Sequence, residues 1–133
     1  QSSKIFLFDA KNFNVREPLF LLDRLGHQTS VKYLLYAPKI DLVVSIDQSS
    51  LINYWSPTDP MHPPSSLLFQ SKLATDLFEV IKRQMNVIAA EFAPSGSHFA
   101  LVAKSTSEKK LFLFDTLKGK ITKIFNEQID VYK

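Results

Sequence analysis

The chain of 133 residues contains no cysteine and only three glycines. Without cysteine it can form no disulfide, no cysteine-ligated zinc site and no thiol nucleophile. Three glycines are too few for the glycine-rich loops that cradle phosphates. No apolar run approaches the roughly 20 residues that a membrane-spanning helix needs, and no signal-peptide pattern is visible. We therefore expect neither nucleotide binding nor a membrane partner.

Catalytic and metal-binding patterns are also missing from the sequence. No serine lies in a G-x-S-x-G elbow, and there is no H-E-x-x-H motif. The three histidines, His27, His62 and His98, have no spacing typical of metal ligands. The scattered carboxylates cannot be paired as general acid and base from sequence. We predict no catalytic residue, no metal site and no cofactor in this chain.

Hydrophobic residues make up 45% of the chain, and the net charge is only +3, with 16 basic and 13 acidic residues. This composition is typical of one ordinary globular domain. The basic residues that come closest to a cluster are lysines of the C-terminal third: Lys104, Lys109, Lys110, Lys118, Lys120 and Lys123. Lysines at strand edges and turns discourage edge-to-edge pairing. The alternative is a phosphate-binding patch, but we do not expect direct RNA contact.

Short segments of the chain repeat. Residues 5–9, 52–56 and 112–115 are each a β-branched or aromatic run that closes on an aromatic and a small polar residue. A second echo, Tyr36-Ala37-Pro38 and Phe92-Ala93-Pro94, precedes the last two. Repeated units bury their apolar faces against one another. Groups of four strands joined by short turns are typical of the blades of a β-propeller.

The sequence therefore predicts an all-β fold, a partial WD-repeat β-propeller of about two and a half four-stranded blades with one short helix. The expected parts are the outer half of a blade (1–24), a second blade (25–74), a helical insert (75–85), a third blade (86–127) and the start of the next strand (128–133). In the insert, Asp76 and Glu79 have the spacing of a capping box for a helix over residues 76–84. Since the smallest propellers have about four blades, we expect a longer protein, self-association, or uncovered sheet faces.

The second unit carries the pattern of a WD-repeat blade. Gly26-His27 precedes its first strand, and Trp55-Ser56 closes its third strand, where an aromatic residue and aspartate are usual. The serine in place of aspartate is a departure from the pattern.

A histidine in this position of WD-repeat blades joins a buried hydrogen-bond network with a serine or threonine of the second strand and the tryptophan of the third. Ser45 and Trp55 stand at those two positions. We therefore predict a structural network of His27, Ser45 and Trp55, and no catalytic role for His27. The usual fourth member is an aspartate six residues before the tryptophan. Here that residue is Ser49, and Asp47 lies two residues earlier.

Several stretches resemble the WD-repeat region of the nuclear cyclophilins that carry WD repeats at their N-terminus. They are residues 44–55, 75–79, 92–96, 119–121 and 124–127, and their order and spacing match over most of the chain. The Tyr54-Trp55 ending and the Thr-Asp-Leu-Phe-Glu insert at 75–79 are not general WD-repeat features.

The resemblance implies a protein-interaction scaffold in the nucleus, with spliceosomal partners, within a larger peptidylprolyl isomerase. The alternative function is the isomerase activity itself, which the resemblance places in a cyclophilin domain absent from this chain. No motif of that domain occurs here, so no catalytic residue can be carried over. Loops at the blade rims are the usual binding surfaces, and the candidates are residues 10–17, 57–66 and 105–110.

Overall fold

The computed structural model describes residues 5–7, 20–22, 27 and 29–128 of the chain. Strands β1 (Ile5–Leu7) and β2 (Phe20–Leu22) form a first sheet. A second sheet contains β3 (Val31–Ala37), β4 (Leu42–Asp47) and β5 (Ile52–Trp55). A third contains β6 (Asn86–Phe92), β7 (His98–Lys104), β8 (Glu108–Asp115) and β9 (Lys120–Gln128). Every pairing is antiparallel and joins strands that follow one another in the chain.

The burial of the central strands explains their sequence. All six residues of β4 are buried, as expected for a nearly continuous apolar strand covered on both faces. In β7, buried and half-buried residues alternate instead, because successive side chains of a strand point to opposite faces. The second sheet is therefore a middle layer, and the third sheet has one face turned outward.

The three sheets stack face to face. One face of the second sheet shares a single apolar core with the third sheet, in which Val44, Ile46, Phe99 and Phe114 are fully buried. The opposite face packs on the first sheet through a smaller cluster that includes Ile5, Val43 and Trp55. Antiparallel meanders stacked in chain order are the arrangement of successive propeller blades. The expected fold class, all-β with a partial propeller, is confirmed.

Phe99 lies at the centre of the larger core. Its ring stacks on Phe114 with ring centroids 4.8 Å apart. The rings of Tyr54 and Phe92 meet it edge to face, at 6.1 and 5.9 Å. Such pairs stabilise the fold beyond the area that they bury, so one side chain of β7 joins residues of both sheets.

The second sheet differs from the expected four-stranded blade. Within the described residues it has three strands, and no strand forms between β5 and β6. Four prolines in residues 57–64 lack the N–H groups that a ladder needs. Further on, backbone N–H groups are bonded elsewhere: Leu68 donates to the Leu117 carbonyl at 2.9 Å and Asp76 to that of Gly119 at 2.8 Å. The segment is thereby attached to the turn between β8 and β9.

The expected helix over residues 76–84 is shorter in the structure, where α1 covers Glu79–Lys82. Asp76 does not cap it, because its carboxylate instead accepts a hydrogen bond from the backbone N–H of Ile121 at 2.9 Å. The segment's apolar side chains pack inward, with Leu77 and Val80 fully buried in the larger core. Among the described helices, none has the length and hydropathy that crossing a membrane requires.

Several expected features lie outside the described residues. They are the loop at 10–17, the glycine of the Gly26-His27 pair and the next strand after residue 128. The expected half-blade at 1–24 is described only at its two strands, which pair with each other.

Two sheet faces carry large apolar side chains that are exposed. Leu34 and Tyr36 of β3 are exposed on the second sheet, and Ile88 of β6 and Phe125 of β9 on the third. Phe125 lines a cavity of about 400 Å³ together with Val102 and other residues of the third sheet. Exposed apolar faces of sheets are typical of surfaces that another element covers.

Replacing Phe99 by alanine is expected to lower the free energy of unfolding by roughly 3–5 kcal/mol, since a fully buried ring leaves a cavity behind. The matched control is Phe125→Ala, whose ring is 47% exposed and whose loss should cost about 1 kcal/mol or less. Urea denaturation followed by tryptophan fluorescence measures both. Equal losses would contradict the placement of the core.

Candidate functional site: a buried histidine network

His27 lies between two side chains of strand β4. Its Nε2 is 2.8 Å from the Ser45 hydroxyl, and its Nδ1 is 2.9 Å from a carboxylate oxygen of Asp47. Residues two apart in a strand point to the same face, so one imidazole can reach both. The side chains of His27 and Asp47 are completely buried. The network thus attaches the chain before β3 to the middle of the second sheet.

The other carboxylate oxygen of Asp47 organises the turn that follows β4. It accepts hydrogen bonds from the backbone N–H of Ser49 at 2.9 Å, the Ser49 hydroxyl at 2.6 Å and the backbone N–H of Leu51 at 3.0 Å. Burial alone raises the pKa of the Asp47 carboxyl. The hydrogen bonds from Ser49, His27 and Leu51 and the charge of His27 outweigh that effect, so the pKa of Asp47 lies below its usual 3.8.

The acid of the network is therefore Asp47, and Ser49 at the usual aspartate position is one of its donors. The signal was present in the sequence, because Asp47 follows Ser45 by two residues and must share its face of β4. The usual WD-repeat spacing instead indicates residue 49.

Trp55, the third predicted member, is not hydrogen-bonded to the network. In the register of β4 and β5 it lies opposite Val43, while Asn53 lies opposite Ser45. The indole is buried in the smaller apolar cluster with Ile5 and Val43. Its Nε1 has no hydrogen-bond partner among the residues that the structure describes. The structure thus joins His27 to Ser45, adds Asp47, and gives Trp55 a packing position.

Serine, histidine and aspartate here stand in the order of a catalytic triad, yet the surroundings do not suit catalysis. Ser45 is completely buried in a strand that is paired on both sides. A nucleophile needs space for a reacting carbon and nearby oxyanion donors. Ser45 has no exposed surface at which such a carbon could be bound. In the described part of the chain, no three histidine, aspartate or glutamate side chains are grouped to hold a metal ion.

Ser56, which replaces the usual aspartate after the tryptophan, has an acid partner across the turn. Its hydroxyl donates to the carboxylate of Asp41, as does the hydroxyl of Thr58. The equivalent residue of the third sheet, Asp115, accepts from the backbone N–H of Lys118 at 3.2 Å. The carboxylate is therefore supplied by the β3–β4 turn in one sheet and by the strand end in the other.

Ser50 is a connecting residue that no sequence motif indicated. It has a φ of 71° and is buried. Its hydroxyl donates to the Met85 carbonyl at 3.1 Å and accepts from the Val87 N–H at 3.2 Å. One side chain thus satisfies two backbone groups at the start of β6, which are costly to leave unpaired when buried. Together with Lys32, which donates to the Val87 carbonyl at 3.0 Å, it links the second sheet to the third.

Curated proteins with WD repeats are similar in sequence to this chain. The chain is 31% identical over 134 aligned residues to "Peptidylprolyl isomerase domain and WD repeat-containing protein 1" of Mus musculus, covering 98% of this chain and 20% of that protein. The chain is thus similar to one part of proteins that combine WD repeats with a peptidylprolyl isomerase domain. It spans about a fifth of the length of these curated relatives.

Two further relatives agree. "Peptidyl-prolyl cis-trans isomerase cyp15" of Rhizopus delemar is 32% identical over 113 residues, or 85% of this chain and 18% of that protein. "Peptidyl-prolyl cis-trans isomerase CYP71" of Arabidopsis thaliana is 30% identical over 105 residues, or 79% and 16%. No family model matches.

Among solved structures, the β-propeller domain of Cps50 (Swd1) of Myceliophteria thermophila aligns with a TM-score of 0.41 and 13% identity. The alignment covers 96% of this chain and 51% of that one. This structural similarity is too low to support a fold assignment. The propeller assignment depends on the stacked sheets and the relatives.

A double-mutant cycle should separate the members of the network. His27→Ala and Ser45→Ala are expected to couple by more than about 1 kcal/mol, because they share a buried hydrogen bond. Trp55→Phe and Ser45→Ala should be additive within about 0.5 kcal/mol. Free energies from urea unfolding give both values. Strong coupling of Trp55 to Ser45 would show that the indole does join the network.

The network should also make stability depend on pH. Because the pKa of Asp47 is lower in the folded chain than in the unfolded chain, its contribution is complete above about pH 4 and is lost as the pH falls through the folded value. Asp47→Asn should lower the free energy of unfolding by roughly 3–5 kcal/mol near neutrality, since it breaks a buried pair. That difference should shrink in acid.

Asp59 provides the matched control. It also bonds a histidine, His62, at 2.9 Å, but both side chains are largely exposed, and such pairs contribute little. Asp59→Asn should change stability by about 0.5 kcal/mol or less at every pH. Thermal unfolding across an acid-to-neutral series measures both variants. A pH-independent effect of Asp47→Asn would contradict the role given to its charge.

Proposed function

We propose that this chain is a protein-interaction scaffold, the WD-repeat module of a spliceosome-associated peptidylprolyl isomerase that acts in the nucleus. The observation that carries the proposal is the similarity over 98% of the chain to proteins whose name joins an isomerase domain to WD repeats. The fold supports a scaffold role, because propeller blades hold their connecting loops on a rigid frame, and loops on rigid frames commonly bind partners.

The polar side chains of this chain support the same proposal. Its one buried array of titratable groups within the described residues is His27 with Asp47, and that array fixes a turn. The connecting segments at 57–66 and 105–107 are largely exposed and are held by local hydrogen bonds. For example, the Ser105 hydroxyl accepts from the Glu108 N–H at 3.2 Å. These residues are suited to bind another molecule through their shape and surface chemistry, and not to catalyse a reaction.

The exposed sheet faces support assembly into a larger ring. When the two echoes Tyr36-Ala37-Pro38 and Phe92-Ala93-Pro94 are superposed, Leu34 corresponds to Ala90 and Tyr36 to Phe92. Ala90 and Phe92 pack against the core formed with the second sheet, whereas Leu34 and Tyr36 are exposed. We propose that another blade covers Leu34 and Tyr36. Self-association of this chain is the alternative way to cover them.

A tagged form of the chain, expressed in cultured eukaryotic cells, should enter the nucleus and copurify with spliceosomal proteins. The interaction should survive ribonuclease treatment, because we attribute it to protein contacts and not to RNA. The tag alone is the control. A chain that stays in the cytoplasm, or whose recovery of spliceosomal proteins is abolished by ribonuclease, would contradict the proposal.

The purified chain in a proline-isomerisation assay tests the alternative function. Proline isomerisation without a catalyst takes tens to hundreds of seconds at 25 °C, so weak catalysis is measurable. We expect the uncatalysed rate. Acceleration that persists in a preparation free of host isomerases would favour an active site within this chain.

A further inference from the structure

Two leucines in the segment between β5 and α1 are unusually exposed. Leu73 is 87% exposed and Leu68 is 68% exposed. Isolated apolar side chains on a surface are ordinary, so exposure alone means little. What distinguishes these two is that both belong to a segment, residues 68–76, whose two ends are hydrogen-bonded to the turn between β8 and β9.

The segment is attached to that turn at both ends. Leu68 donates its backbone N–H to the Leu117 carbonyl at 2.9 Å, and Asp76 donates to the Gly119 carbonyl at 2.8 Å. Leu67 and Phe69 on either side of Leu68 pack against the core, while Leu68 itself is exposed. Close packing continues at Gly119, where an added Cβ would lie 3.0 Å from Thr75 and 3.1 Å from Phe69.

A short turn with a capping hydrogen bond keeps the side chain of Leu73 exposed to solvent. Residues Lys72–Ala74 form a 3-10 turn. The Ser71 hydroxyl accepts from the Leu73 N–H at 3.3 Å, and the Thr75 N–H donates to the Lys72 carbonyl at 3.2 Å. An apolar side chain on a backbone that is already ordered loses little further entropy when a partner covers it.

Three lysines lie in the same segment or at the β8–β9 connection to which it is bonded. Lys118 and Lys120 on the β8–β9 turn are exposed. Lys72 is half-buried, burial lowers its pKa, and it forms no ion pair with any residue that the structure describes. Of the lysines, Lys120 pairs with Asp76 at 3.9 Å, whereas Lys118, like Lys72, forms no ion pair with a described residue.

We propose that these residues form a docking surface for a protein segment that presents an apolar side chain next to acidic ones. We call it the leucine–lysine surface, and it consists of Leu68, Leu73, Lys72, Lys118 and Lys120. The leucines supply the apolar contact area, and the lysines select for negative charge and speed the encounter. The inference rests on the proposed scaffold function, for which it names a surface and the chemistry of the partner.

Titration of the isotope-labelled chain with short synthetic peptides tests the proposal. One peptide contains leucine, aspartate and glutamate, and its counterpart has lysine at every acidic position. We expect the acidic peptide to shift the NMR signals of Leu68, Leu73 and Lys118 and to bind at least about tenfold more tightly than the basic one. Its affinity should fall as salt is raised, because exposed charges are screened.

Two variants and two matched controls assign the surface. Leu73→Ser and Lys118→Glu should each weaken binding of the acidic peptide by about tenfold. Met61→Ser, at another exposed apolar residue of the same segment, and Lys104→Glu, at an exposed lysine of β7, should leave it nearly unchanged. All four changes are at solvent-exposed positions, so the chain should stay folded, and amide spectra verify this.

Several outcomes would overturn the inference. These are equal binding of both peptides, no effect of Leu73→Ser, or displacement of the peptide by polyuridylate, which would show a general polyanion site. The result is separable from the proposed function. Loss of spliceosomal copurification with peptide binding intact would reject the cellular role alone. Copurification that is unchanged by Leu73→Ser, without peptide binding, would reject this surface alone.

Discussion

The structure depends on the need to cover the second sheet on both of its faces. Strand β4 is buried along its whole length, so both faces of the sheet are covered where this central strand lies. The third sheet covers one face with Phe99 and Phe114, and the first sheet covers part of the other at Val43 and Trp55. Each sheet alone would be a hairpin or meander with too little core. Stacking is what makes the sheets stable.

Polar contacts then fix how the layers fit together. His27 joins Ser45 and Asp47 within the second sheet, and the Ser50 hydroxyl ties that sheet to the start of β6. Apolar packing tolerates small shifts between layers, whereas a buried hydrogen bond is lost when its partners separate. Ser50 therefore sets the position of the second sheet against the third, while His27 fixes the chain that leads into β3.

Much of this arrangement could be predicted from the sequence, because periodic patterns report local structure. The echoes around Tyr36 and Phe92 and the runs ending at Trp55 and Phe114 correctly placed the strands of the second and third sheets. The pairing of His27 with Ser45 followed from its position before β3. What could not be predicted were contacts between segments far apart in the chain. Asp76 has the local pattern of a helix cap, yet its carboxylate bonds Ile121, 45 residues away.

The missing fourth strand of the second sheet has a similar origin. Residues 67–70 are apolar enough for a strand, but the backbone of Leu68 is bonded to the β8–β9 turn. The role of Ser50 cannot be predicted from the sequence, because a single serine in a turn belongs to no recognisable pattern. Its role comes from two backbone groups that only the folded chain brings to it. The strand propensity of a segment depends on its own few residues, whereas contacts with distant parts of the chain can override that propensity.

The order of the sheets along the chain has a consequence for synthesis on the ribosome. Strands β3 to β5 are complete once Trp55 has emerged, and each pairs only with its neighbour in sequence. The side chains that complete the core on their inner face are made later, from Leu67 and Phe69 to Ile121 and Ile124. During that interval the nascent chain presents Val44, Ile46 and Tyr54 without their cover. Exposed sheets of this kind are aggregation-prone, so the risk of aggregation is greatest before the third sheet has been made.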